Sequence, residues 1–188
     1  MNAMLSEYFT ALNNRVHSLK INFLPPVNVM GKYTSHEEDK MRSFRMLVHA
    51  EMEHYLELVC EVFIADLERD IQHSRGLGMA RKMWAEKALV EAKSAKASNN
   101  GIKKSDILQM FKPFGFDDSF FDAVDPVFLD RMAEFGKNRG DVAHKSALRA
   151  TYKINCAREG SMIIELMGYL VRFDELMFAR RIRSLLED

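Results

Sequence analysis

The sequence predicts an all-α protein, a bundle of about four long helices with small helical additions. The composition is globular, with 47% hydrophobic and 29% charged residues, and only 4 Pro and 9 Gly residues interrupt it. Apolar residues recur at intervals of three and four along much of the chain, as they do on one face of a helix. No strand-like alternation is present, although residues 150–154 are compatible with an extended segment.

Two long helices are predicted in the N-terminal part. The first covers about residues 5–21 and ends before Pro25-Pro26, because proline lacks the backbone N–H and restricts the residue before it. The second begins at Ser35-His36-Glu37-Glu38, where a hydroxyl and a carboxylate three residues apart predict a capping box. Its apolar stripe continues to about Ile71, a length typical of the central helix of a bundle.

Residues 76–124 are predicted to be an insertion of small helices within a single domain that spans residues 1–188. A helix is expected over about residues 80–97, then a short helix capped by Ser105-Asp106, then one or two turns from Asp117 to Ala123. The chain is long enough for one domain with a sizeable core, so no second domain is needed.

Two further helices are predicted in the C-terminal part. Asp125-Pro126 is a helix start, with Asp as the cap and Pro in the first turn, and the helix carries apolar residues on one face from Phe128 to Phe135. Asn155 is expected to cap a final helix that reaches about Leu186.

Composition also excludes several classes of protein. The formal net charge is zero, so binding to nucleic acid requires a local basic patch. Cys60 and Cys156 match no metal or redox spacing and are expected to be small core residues. The N-terminus lacks the features of a signal peptide, and no apolar run is long enough for a membrane span. A cytoplasmic protein without membrane contact and without a metal or cofactor is therefore expected.

Charge is unevenly distributed in the C-terminal part. Residues 117–134 contain six acids and one base, whereas residues 137–158 contain six bases and one acid. A basic segment of this kind can neutralise phosphates of RNA. The alternatives are a solvated face or an intramolecular pairing of the two segments.

A second polar cluster lies within the long helix, at His49-Ala50-Glu51-Met52-Glu53-His54. The two histidines are five residues apart, so a helix places them on different faces and they do not converge on a metal. A surface or interhelical pairing role is therefore predicted for this cluster.

The stretch Asn138-Arg139-Gly140-Asp141-Val142-Ala143-His144 concentrates groups that can cleave RNA without a metal. Arginine supplies a planar fork for phosphate oxygens, and histidine moves a proton near neutral pH. Asp141 lies three residues before His144 and can orient its imidazole on a helix. Gly136 and Gly140 would let the backbone come close to a partner or bend. The bases expected to contact RNA around this stretch are Lys137, Lys145 and Arg149.

Arg139-x4-His144 resembles the Arg-x(4–6)-His motif of HEPN domains, closest to the form Arg-Asn-x-[Ile/Val]-Ala-His. The stretch Arg45 to Glu57 resembles the second helix of the RiboL-PSP and MAE-type HEPN groups, and the resemblance covers roughly residues 35–75 and 125–187. It implies a four-helix bundle and a homodimer in which two motifs form one composite, metal-independent ribonuclease site. Many members of the superfamily are toxins or phage-defence effectors, held in some systems by an antitoxin or sensor protein.

The resemblance also implies roles for individual residues, and the chain differs from the family pattern at two positions. His144 would be the general base or acid, Arg139 would hold the scissile phosphate, and Asn138 and Asp141 would orient them. The family usually has Asn or another polar residue where this chain has Gly140. The toxins that a partner nucleotidyltransferase modifies have Tyr where this chain has Ser146. The alternative function is a non-catalytic helical module that binds a protein partner through a Met-rich or acidic face.

Overall fold

The computed structural model describes residues 5–74, 76, 78–137 and 154–181. All regular secondary structure within these ranges is helical, which confirms the prediction of an all-α bundle. Its helices are α1 (Glu7–Phe23), α2 (Ser35–His73), α3 (Met79–Ala97), α4 (Lys104–Phe111), α5 (Asp118–Val124), α6 (Phe128–Lys137) and α7 (Cys156–Ala179), with a 3-10 turn at Lys112–Phe114. None of the helices in these ranges has the length and apolar character needed to cross a membrane.

The 39-residue helix α2 is the centre of the bundle. Its cap is Thr34, whose hydroxyl accepts from the Glu37 backbone N–H at 3.3 Å while the Glu37 carboxylate accepts from the Thr34 backbone N–H at 2.8 Å. The prediction that Ser35 and Glu38 form the box was therefore wrong by one residue. Both pairs have the same spacing, but only Thr34 has the extended backbone that a cap requires, whereas Ser35 is already helical.

Helices α1 and α7 pack against α2. Both are capped by side chains. Ser6 accepts from the Phe9 N–H at the start of α1, a cap that was not predicted. Asn155 accepts from the Arg158 N–H at the start of α7, and this cap was predicted. The carboxylate of Asp174 in α7 is fully buried and accepts from the Ser6 hydroxyl at 2.6 Å and from the Tyr55 hydroxyl at 2.8 Å. One carboxylate thereby joins the start of α1 to α2 and α7.

Helix α7 ends at Ala179, and the prediction that it reaches Leu186 was wrong. The N–H of Arg180 turns to the Met177 carbonyl three residues back, and Arg181 donates to both oxygens of Asp66 in α2 at 2.9 Å. The chain therefore leaves the helix at Arg180, next to the ion pair between Arg181 and Asp66, although the apolar periodicity continues in the sequence.

Helix α3 runs antiparallel to the C-terminal half of α2, linked by polar pairs Asn99–Glu57, Lys96–Glu61 and Lys93–Glu68. The following helices start at different residues from those predicted: α4 at Lys104, with Lys103 as its cap, and α6 at Phe128, after a turn in which Asp125 accepts from the Val127 N–H. The short turn predicted after Asp117 is α5, capped by Asp117.

The segment between α2 and α6 contributes directly to the main core. Phe111 and Phe121 are fully buried, and both rings contact Phe173 of α7, with centroids 5.5 and 6.0 Å apart. Phe128 of α6 joins the same aromatic cluster. The interpretation of residues 76–124 as an insertion into a family fold stays a prediction.

Candidate functional site

The predicted ribonuclease residues lie almost wholly outside the described ranges. Lys137 is the exposed last residue of α6. The residues that fall outside are Asn138, Arg139, Asp141, His144, Lys145 and Arg149. Their proposed arrangement around a phosphate therefore stays a prediction. The structure describes the two helix ends on either side of that segment, the end of α6 and the start of α7.

A buried arginine joins these two helix ends. Arg45, in the first half of α2, is 2% exposed, and Glu159, in the first turn of α7, is 0% exposed. The Arg45 Nη1 donates to both oxygens of Glu159, at 2.7 and 2.6 Å, and its Nη2 donates to the carbonyl of Phe135 at 2.8 Å. The guanidinium also lies 4.5 Å from the centre of the Phe135 ring. One side chain therefore connects α2 with the end of α6 and the beginning of α7.

The chemistry of the two helix ends explains why these groups are buried together. The Phe135 carbonyl is among the last four of α6, which have no partner within the helix, so a cation there satisfies an acceptor and complements the negative end of the helix dipole. Glu159 lies near the positive end of the α7 dipole, where a carboxylate is favoured. The free-energy cost of desolvating the two charges is thus offset by several hydrogen bonds and by the favourable dipoles of both helix ends.

His49 lies one turn beyond Arg45 on the same face of α2 and is also buried. Its ring stacks on Phe135 with centroids 6.1 Å apart, and its Nδ1 is 3.6 Å from a carboxylate oxygen of Glu53. Its Nε2 faces Gly136, where an added Cβ would lie 3.7 Å from it. A buried imidazole with a carboxylate on one side therefore borders the end of α6.

Gly136 is not needed for the close contact at this point. A Cβ at this position would meet its nearest atom, Ile102 Cγ1, at 3.4 Å, which is an ordinary van der Waals distance. The prediction that Gly136 lets the backbone come close to a partner is not tested by these contacts and stays a prediction. Gly140 lies outside the described residues.

The polar cluster at His49–His54 of α2 takes part in interhelical pairing, as predicted, through Glu51. Glu51 accepts from Arg15 of α1 at 2.8 Å, and Glu57 accepts from Asn99, beyond the end of α3, at 2.7 Å. His54 is exposed while His49 is buried, so the two imidazoles do not converge. Among the described residues no group of three potential ligands is arranged for a metal ion.

The acidic and basic segments of the C-terminal part meet at one described pair. Arg158 of the basic segment donates to Glu134 of the acidic segment at 3.1 Å. Glu134 also pairs with Arg131, and Arg131 reaches Glu165 of α7 at 3.1 Å. Intramolecular pairing therefore accounts for part of the charge separation; the remaining bases from Arg139 to Lys153 lie outside the described residues.

The two cysteines are buried thiols, as predicted. Burial raises the pKa of Cys60 to about 12, and burial also raises the pKa of Cys156. Both groups are therefore protonated at neutral pH, and neither has the thiolate character of a nucleophile or metal ligand.

Comparisons of the chain with protein-family models, with curated proteins and with solved structures found no match.

The pair Arg45–Glu159 was missed by sequence reasoning as a structural feature. Its signal is present in the sequence, because Arg45 lies four residues after Met41 and Glu159 three residues after Cys156, both within apolar stripes. A charged residue inside an apolar stripe requires a specific buried partner.

Proposed function

We propose that this protein is a metal-independent endoribonuclease of HEPN type. The single observation that carries the proposal is the sequence Arg139-Gly140-Asp141-Val142-Ala143-His144, which resembles the HEPN motif. Two structural features support it. The chain is an all-α bundle, and the segment with the motif connects two helices whose adjoining ends are both anchored on Arg45.

The proposed reaction is an in-line transfer within the RNA backbone. His144 removes the proton of a 2′-hydroxyl, and the 2′-oxygen forms a bond to the adjacent phosphorus while the bond to the 5′-oxygen breaks. The second His144 of the dimer, in its protonated form, donates a proton to the leaving 5′-oxygen, and exchange with solvent restores both imidazoles after the products leave. Arg139 stabilises the charge on the phosphate oxygens, and Asn138 and Asp141 orient the two groups. The products are a 2′,3′-cyclic phosphate and a 5′-hydroxyl end.

In this proposal the active form is a homodimer that acts on cytoplasmic RNA as a toxin or phage-defence effector. Lys137, Lys145 and Arg149 bind backbone phosphates next to the cleavage site. An antitoxin or sensor protein would control the activity, because an unregulated ribonuclease damages its own cell.

The test is RNA cleavage by purified protein in EDTA. Wild-type protein should cleave and leave cyclic phosphate ends, whereas His144→Ala and Arg139→Ala should lose at least about 100-fold in rate, the usual range for a lost acid–base group. His54→Ala is the matched control, because His54 is an exposed histidine on α2. Cleavage that survives both motif substitutions, or that requires a divalent metal, would refute the proposal.

A non-catalytic protein-interaction module is the second candidate. It is favoured by exposed apolar side chains on α3, which are Met79, Met83, Trp84 and Val90. Under this function His144→Ala would leave partner binding unchanged, and no RNA would be cleaved by folded wild-type protein. Seven other methionines are buried in the core and cannot contribute to a partner-binding face: Met41, Met52, Met110, Met132, Met162, Met167 and Met177.

A further inference from the structure

Helix α3 contributes little apolar surface to the bundle. All 19 of its residues are described, and among them only Ala92 and Ala95 are buried, while Leu89 is partly buried against the core. Helix α1 has a similar length of 17 residues but buries four larger apolar side chains: Phe9, Leu12, Val16 and Leu19. Hydrophobic stabilisation grows with the apolar area removed from water, so packing holds α3 much more weakly than α1.

Two cavities border α3. A groove of about 890 Å³ lies between α3, from Trp84 to Ala95, and the turn at Lys112 and Pro113. A second cavity of about 460 Å³ lies between α3 and α2 and is lined by Ile64 of α2. Such gaps lack the close packing of a protein interior, so α3 is loosely seated on both sides.

Polar pairs make up much of the contact between α3 and α2. Among the described residues these pairs are Asn99–Glu57, Lys96–Glu61 and Lys93–Glu68. The side chains of the two ion pairs are 29–58% exposed. Exposed ion pairs contribute little stability, and that contribution decreases as salt screens the charges.

The connections at the two ends of α3 differ. Gly76 and Gly78 precede the helix, and an added Cβ at either position would meet no described atom within 4 Å. Ile102 follows the helix and is fully buried in the core. The chain is therefore fixed after α3, whereas these two glycines before it make no close contact that would hold the helix in place.

We propose that α3 is a detachable helix, which leaves α2 as a unit while the rest of the bundle stays folded, and whose docking depends on ionic strength. Undocking breaks the three polar pairs and uncovers the face of α2 that carries Ile64, which is 7% exposed in the docked state. A lone helix of this length is only marginally stable in water, so its amides exchange with solvent once it has left α2. Undocking involves no residue of the predicted RNA site, so it does not depend on the proposed ribonuclease function.

Hydrogen exchange of the full chain, followed by mass spectrometry, tests whether α3 undocks separately. Peptides that cover Ala92 and Ala95 should exchange at least about tenfold faster than peptides from α1. Raising NaCl from about 0.05 to about 0.5 M should accelerate the α3 peptides a further two- to fivefold. Helix α1 is the internal control, because an exposed ion pair, Arg15–Glu51, also joins it to α2 while its apolar packing is larger. Equal exchange in α1 and α3, or an equal salt effect on both, would overturn the proposal.

Charge reversal tests whether the pairs with α2 hold the helix. Lys96→Glu places a second carboxylate against Glu61 and should accelerate exchange of α3 about tenfold. The double variant Lys96→Glu/Glu61→Lys should return exchange to within about threefold of the wild type. Lys87→Glu is the matched control, because the partner of Lys87 lies within α3 itself, and its effect should stay within about twofold. The proposal is wrong if the double variant exchanges as fast as Lys96→Glu, or if Lys87→Glu has the same effect.

Thiol labelling distinguishes undocking from fraying of a docked helix. Ala95 is 6% exposed, so the thiol of Ala95→Cys should react only when α3 leaves its neighbours. Ser94→Cys, at the exposed neighbouring position, should react immediately. Labelling of Ala95→Cys should increase with salt by the same factor as amide exchange of α3. If Ala95→Cys reacts only as slowly as Cys156, which is buried at the start of α7, then global unfolding exposes it and α3 does not undock separately.

Discussion

The guanidinium of Arg45 donates to both carboxylate oxygens of Glu159, at 2.7 and 2.6 Å, inside the protein core. The two residues are 114 positions apart in the chain, and the pair joins α2 to the start of α7. A third hydrogen bond to the Phe135 carbonyl adds the end of α6. A buried ion pair of this kind contributes little compared with apolar packing, but removing one partner leaves an uncompensated charge.

Removing one partner of this pair should strongly destabilise the fold. Glu159→Leu and Arg45→Met should each lower the free energy of unfolding by about 3–5 kcal/mol. The double variant Arg45→Met/Glu159→Leu buries no isolated charge, so its loss should be much smaller than the sum of the two. Urea titrations of the three variants measure these differences and the coupling between the residues.

The exposed pair Arg15–Glu51, which joins α1 to α2 at 2.8 Å, is the control for this experiment. Glu51→Gln should cost less than about 1 kcal/mol because water screens both charges. Additive losses in the Arg45–Glu159 double variant would contradict the buried coupling.

Alanine substitutions of Thr34 and Ser35 distinguish which of these two neighbouring residues caps α2. Thr34→Ala should lower Tm by about 2–4 °C, because it removes the acceptor for the Glu37 N–H. Ser35→Ala should leave Tm nearly unchanged, since Ser35 is the first helical residue and alanine is a good helix former. Thermal unfolding followed by circular dichroism measures both. A larger decrease in Tm for Ser35→Ala than for Thr34→Ala would show that Ser35 is the cap, as the sequence predicted.

The limits of prediction from sequence follow from these contacts. Helices α1, α2 and α7 were predicted because their apolar stripes are long and local. The start of α2 was predicted one residue late because Thr34 and Ser35 each have a glutamate three residues further on. The end of α7 was predicted too late because Arg181 pairs with Asp66, a residue 115 positions away in the chain. Arg45 and Glu159 each interrupt an apolar stripe, but a non-local pairing cannot be read from either stripe alone.

Alkaline pH should destabilise the protein through Cys60. Burial raises the pKa of Cys60 to about 12, above the ordinary value of 9.0. The stabilisation is therefore fully present below pH 9 and is lost as the pH rises from 9 to 12, because only the unfolded thiol ionises in that range. The expected slope is a loss of up to about 1.4 kcal/mol per pH unit.

Urea unfolding at pH 8, 9 and 10 measures this slope. Cys60→Ala is less stable at every pH, since it leaves a cavity, but its slope between pH 9 and 10 should be smaller. Tyr55, whose pKa is raised well above its ordinary value by burial and by Asp174, adds a loss above pH 10 in both proteins. Equal slopes for wild type and Cys60→Ala below pH 10 would exclude Cys60 as the source.

Two glycines near the end of α6 should respond to alanine in opposite ways. Gly136→Ala should stabilise the protein by about 0.5–1 kcal/mol, because the helical position accepts a Cβ at ordinary contact distances. At Gly101 an added Cβ would lie 2.8 Å from Asp106 Oδ2, the oxygen that accepts from the Lys103 N–H. Gly101→Ala should therefore lower the free energy of unfolding. Destabilisation by Gly136→Ala would show that Ile102 cannot accommodate the added Cβ.

Lys137 links the described structure to the proposed RNA site. If it contacts a backbone phosphate, Lys137→Ala should weaken RNA binding and reduce the slope of log K against log salt by about 0.7, the value for one phosphate contact on a single strand. Binding is measured in the His144→Ala background so that the RNA stays intact. Lys87→Ala on α3 is the matched control, because it removes the same charge from an exposed helical position far along the chain from the motif. If Lys137→Ala still binds RNA with an unchanged salt slope, Lys137 does not contact a phosphate. Lys145 and Arg149 would then be the remaining predicted phosphate contacts.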